Sequence, residues 1–98
     1  MKKFITVKEV KAITPDMRYA QQIGGLDEDS IIKEFGAVEI RVDFKKEKSK
    51  TNRWFYFYNA EILYDGKKVW GSDFGLFEVG AMVEEINKIV ASCPKKQF

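Results

Sequence analysis

Five aromatic residues follow one another at 54 to 58, Trp-Phe-Tyr-Phe-Tyr, inside the stretch "RWFYFYNAEILY". Successive side chains of a strand point to opposite faces, so such a run cannot enter one core as a block. The strand must sit between two surfaces that both want apolar contact, or expose part of the run.

The residues after it fix the partner. Asp65-Gly66 suits a two-residue type I′ turn, and "KKVWGSDF" returns as the next strand. A regular register from that turn pairs Tyr64 with Lys67, Ile62 with Val69, Glu61 with Trp70, Asn59 with Ser72 and Phe57 with Phe74. The even positions, Trp54, Tyr56, Tyr58, Ala60, Ile62 and Tyr64, then carry no charge or amide. The odd positions include Asn59 and Glu61, whose burial without partners would cost several kcal/mol. The even face is therefore expected to be the core. The odd face is left with Phe55, Phe57 and Leu63, joined across the hairpin by Trp70 and Phe74. Covering one such side chain is worth about 1.5–3 kcal/mol, so this face calls for N-terminal helices, a second copy or a partner. A β-bulge near Asn59-Ala60 is the alternative, since it would exchange the two faces halfway along the strand.

The preceding strand is expected over about 37–45, where Val38, Ile40, Val42 and Phe44 alternate with Glu39, Arg41 and Asp43. Upstream, Thr6 and Glu9 form a capping box with Ile5 and Val10 as its staple, so a short helix is predicted over about 7–13. Thr14, Pro15 and Asp16 open a second over about 15–23, ended by Gly24-Gly25. "DEDSIIKEFG" predicts a third over about 28–35, with acids at its start and Gly36 as its cap. After the hairpin, Leu76, Val79, Val83, Ile86 and Val90 recur at helical spacing and predict a helix over about 76–91. Gly80 within it suggests a close approach of helix to sheet. The expected fold is α+β: a three-stranded antiparallel sheet (about 37–45, 53–64, 67–74), the C-terminal helix on one face, and short helices at an edge or partly over the other. The 98 residues, 45% hydrophobic, fit a single domain over 1–98.

Composition narrows the chemistry. There is no histidine, and Cys93 is the single cysteine, so the usual general base and most zinc and thiol mechanisms lack their groups. No glycine-rich phosphate motif occurs, and the acids at 27 to 29 lack the spacing of a calcium loop. No catalytic residues, metal ligands or cofactor are expected, and the chain reads as a binding protein rather than an enzyme. Charged residues interrupt the start before an apolar span can form, so no membrane partner and a cytoplasmic location are expected.

Two binding surfaces follow. The first is the aromatic odd face, with Phe55, Phe57, Leu63, Trp70 and Phe74 as candidates for a protein partner or a homodimer. The second is the basic loop 45–53, where Lys45, Lys46, Lys48, Lys50 and Arg53 stand beside Trp54 and Phe55 and suit non-specific or single-stranded nucleic acid. Only three of seventeen basic residues are arginine, which disfavours base-specific reading. "FITVKEVKAI" resembles the first helix of excisionase-type helix-turn-helix domains, but Lys11 stands where those carry a small residue, and no Arg-rich recognition helix follows. The hairpin and final helix are similar in outline to the back half of a double-stranded-RNA-binding domain, with "LFEVGAM" in place of its lysine cluster. Neither resemblance reaches the motif that would imply the function.

Overall fold

The computed structural model describes residues 3–15, 28–51 and 53–93. The chain runs α1 (Val7–Ala12), β1 (Asp29–Phe35), β2 (Val38–Lys48), β3 (Trp54–Tyr64), β4 (Lys67–Gly75), a 3-10 turn (Leu76–Glu78) and α2 (Val79–Ser92). The four strands form one antiparallel sheet in chain order.

The α+β class, the antiparallel sheet and the C-terminal helix agree with the sequence reading, but the sheet has four strands rather than three. The segment expected as a helix over 28–35 is strand β1, paired along its length with β2. Ile31 and Phe35 lie four residues apart, a spacing that shares one face in a strand as well as a helix, so periodicity did not separate the two. Gly36, read as a helix cap, instead opens the two-residue β1–β2 turn at φ 61. A glycine first in such a turn is the type II′ pattern. The helix expected over 15–23 lies outside the described residues except for Pro15, which is not helical.

The even positions of β2 and β3 form the core, as their alternation implied. Ile40, Val42, Phe44, Ala60 and Ile62 are fully buried and pack against Met82, Val83, Ile86 and Val90 of α2. Asp65 and Gly66 both take positive φ, 53 and 79, as the type I′ turn requires. Gly80, by contrast, is exposed, and a Cβ there would meet nothing within 4 Å. Close helix–sheet approach does not explain it.

At α1, Thr6 and Glu9 make the reciprocal capping box, and Ile5 and Val10 are both fully buried. This helix packs beside the edge strand β1 and not over the second face. Phe4 meets Phe35 edge to face at 5.2 Å, Glu9 pairs with Lys33 at 2.7 Å, and Thr14 Oγ1 shares a 2.6 Å hydrogen bond with the Tyr58 hydroxyl. All three partners lie on the face that α2 covers, so both helices share one side.

Candidate functional site

The hairpin β3–β4 contains a bulge, in β4 rather than at Asn59-Ala60. Tyr64 pairs with Lys67 and Leu63 with Lys68, but Ile62 then pairs with Trp70, leaving Val69 as the extra residue. Every residue beyond it moves one place: Ala60 faces Ser72, Asn59 faces Asp73 and Tyr58 faces Phe74. One inserted residue inverts which side chains share a face.

The five aromatic-face candidates are thereby divided. Trp70 and Phe74 join Ile62 and Tyr58 on the helix-covered side, partly buried against the core, with their rings 6.0 Å apart. Expecting them on the odd face was a consequence of the unbulged register. Phe55, Phe57 and Leu63 stay on the outer face, and β3 does not switch sides along its length.

That outer face consists of cross-strand rows. One row is Ser30, Asp43, Asn59 and Asp73; the next is Ile32, Arg41, Glu61 and Gly71; the third is Glu34, Glu39, Leu63 and Lys68. Its polar groups are knitted together. Asn59 Nδ2 donates to Asp73 Oδ1 at 2.7 Å, Arg41 pairs with Glu39, and Lys68 reaches Glu61 at 3.4 Å. Gly71 leaves room for the end of the Lys68 side chain, which lies where a Cβ would be. Neither α1 nor α2 lies on this side, and Ile32 and Phe55 are 59% and 57% exposed. Ile32 was missed by sequence reasoning because its segment read as a helix. At the turn end, Leu63, Glu34, Glu39, Arg41 and Asp65 line an open depression of about 400 Å³.

Beyond the four-stranded part, β2 and β3 continue as a two-stranded arm. β1 ends opposite Phe44 and β4 opposite Phe57, whereas the β2–β3 ladder runs on to Lys48 and Trp54. The basic candidates are distributed over this arm. Lys46 and Lys48 flank the Trp54 ring at 5.0 and 5.5 Å from its centroid, and Tyr56 stacks on Phe44 at 5.7 Å. Lys45 lies opposite Phe57 on the outer face, Lys50 is in the tip turn, and Arg53 precedes β3; all three are exposed. Ser49 closes the tip by donating its N–H to the Arg53 carbonyl and accepting the Arg53 N–H at its hydroxyl.

Among the described residues no three metal-ligating side chains gather, and no helix is long and apolar enough to cross a membrane. Glu9 is the described carboxyl whose pKa is drawn below the ordinary glutamate range, chiefly by its hydrogen bond from Lys33. That pair ties α1 to β1, away from the outer face. No protein-family model, no curated protein and no solved structure matches the chain.

Proposed function

We propose that this domain is a non-catalytic binding module that engages a protein partner through the outer face of its sheet. The observation that carries this reading is the one-sided cover among the described residues: α1 and α2 pack on one face, and the other presents Ile32, Phe55, Phe57 and Leu63 among internally paired polar groups. Apolar side chains surrounded by polar neighbours are the makings of an interface centre and rim. Pre-paired charges also lower the desolvation cost of docking, because few isolated ions must be stripped of water. The absence of histidine and the lack of an enclosed cleft at the face fit a binding role better than a catalytic one.

A photocrosslinking residue placed at Phe55 or Leu63 tests this in extract of the native cell. Adducts from these positions, and none from Lys8 on the opposite side, are expected. Equal or absent adducts at both sides reject the face as the working surface.

A second reading rests on the Lys46–Trp54–Lys48 cluster, which places two ammonium groups on an aromatic arm suited to phosphate and base contact. It is the weaker reading because these lysines sit over the Trp54 ring and compete with a stacking base. Binding of a labelled oligonucleotide that falls steeply with salt, and is lost in Lys46→Glu with Lys48→Glu, would favour it.

A further inference from the structure

We propose that the occupant of the outer face is a second copy of this chain, docked face to face with its strands reversed, so that each arm lies over the other copy's sheet. This rests on the open-face reading above and names its partner. Charge is distributed unevenly along the face. In the three rows of the four-stranded part, Glu34, Glu39, Asp43, Glu61 and Asp73 outnumber Arg41 and Lys68. On the same face of the arm Lys45 and Arg53 stand against Glu47, giving it the opposite sign, while Lys46 and Lys48 flank Trp54 on the helix side. One surface thus carries a basic end and an acidic end, which is self-complementary under a two-fold axis that reverses the strands. An axis along the strands would set arm on arm and acid on acid.

The spacing of the rows suits that arrangement. An axis across the strands at the level of Tyr58 brings the Phe57 row over the Asn59 row, Phe55 over the row of Ile32 and Glu61, and Arg53 over the row of Leu63. Lys45 then meets the row of Asp43 and Asp73. Arg53 meets the depression of about 400 Å³ lined by Glu34, Glu39 and Leu63. Of the eleven residues of β3, 54–57 lie in the arm and 58–64 in the four-stranded part, about 13 and about 23 Å at roughly 3.3 Å per residue, so each arm covers the nearer part of the other copy's body. Sheets stacked this way sit about 10 Å apart with strand directions within about 30°, room for Phe55, Phe57, Ile32 and Leu63 to interdigitate.

Sedimentation of the purified full chain over a wide concentration range tests it, together with two charge-reversed variants: Lys45→Glu with Arg53→Glu on the arm, and Glu34→Lys with Asp43→Lys on the body. Wild type is expected as a dimer, and each variant alone as a monomer weakened in association at least tenfold. An equimolar mixture of the two is expected to recover the dimer, because acidic arm then meets basic body. A misfolded variant cannot restore association, so recovery supports the docking and its orientation together. Monomeric wild type at every concentration overturns the second-copy proposal, as does a dimer that both variants leave intact. In the monomeric case, adducts from Phe55 in the extract keep the open-face reading standing, and their absence removes it as well.

Discussion

Asn87 holds the backbone of Ile5 from both sides: its Oδ1 accepts the Ile5 N–H at 3.0 Å and its Nδ2 donates to the Ile5 carbonyl at 2.9 Å. The same Oδ1 accepts the Phe4 N–H at 2.7 Å. Asn87 is the buried polar residue of α2, and through it the segment leading into α1 is fixed to the C-terminal helix, 82 positions away in sequence. An unpartnered buried polar group costs about 1–3 kcal/mol, so Asn87→Leu, which leaves three backbone groups without their partner, should lower stability by about 2–4 kcal/mol. Urea denaturation gives the value; a loss below about 1 kcal/mol would show that the three backbone groups do not depend on Asn87.

The Glu9–Lys33 pair carries a pH dependence whose sign is fixed by its direction. The Glu9 pKa is lower in the folded chain than in the unfolded one, so its contribution is present above the unfolded value, near about 4.3, and is lost as pH falls through the folded value. Because both side chains are partly exposed, solvent screening holds the effect below about 1 kcal/mol. Denaturation at neutral and acid pH should show a smaller acid loss in Glu9→Gln than in wild type. An unchanged acid loss would show that the pair does not contribute.

Gly80 lies exposed in the first turn of α2 with open space where a side chain would go. Gly80→Ala should therefore stabilise the domain by up to about 1 kcal/mol, through helix propensity and reduced freedom of the unfolded chain. A thermal melt reads it. A loss of stability would mean that something packs against that position.

The bulge separates neighbouring residues into opposite fates. Val69 is 45% exposed as the extra residue, while Trp70 packs on the core side beside Phe74. Val69→Ser should change stability by no more than about 0.5 kcal/mol, whereas Trp70→Ala should cost about 2–3 kcal/mol. Equal effects would contradict the register.

What the chain discloses before its structure is known follows the range of each signal. The capping box at Thr6, the turn at Asp65-Gly66 and the α2 periodicity involve residues a few positions apart, and each is where local chemistry puts it. The alternation of β2 and β3 is equally local and assigns the core face. β1 was hidden because Ile31 and Phe35 satisfy both periods, and pairing with β2 decides between them. The bulge at Val69 leaves no mark in composition, yet it moves Trp70 and Phe74 off the candidate face. Asn87 looks like one more polar helix residue until the segment at Ile5 meets it. For the candidate site, Phe55, Phe57 and Leu63 were legible from strand parity alone, while Ile32 depends on the strand that sequence periodicity did not reveal.

The outer face as a working surface is tested most directly by one double variant, Ile32→Ser with Phe55→Ser, followed for both folding and association. Both side chains are more than half exposed, so the thermal midpoint should stay close to that of wild type while association through the face is lost. A variant that unfolds would show that these residues are part of the core. One that stays folded and still associates as wild type would show that the binding surface lies elsewhere.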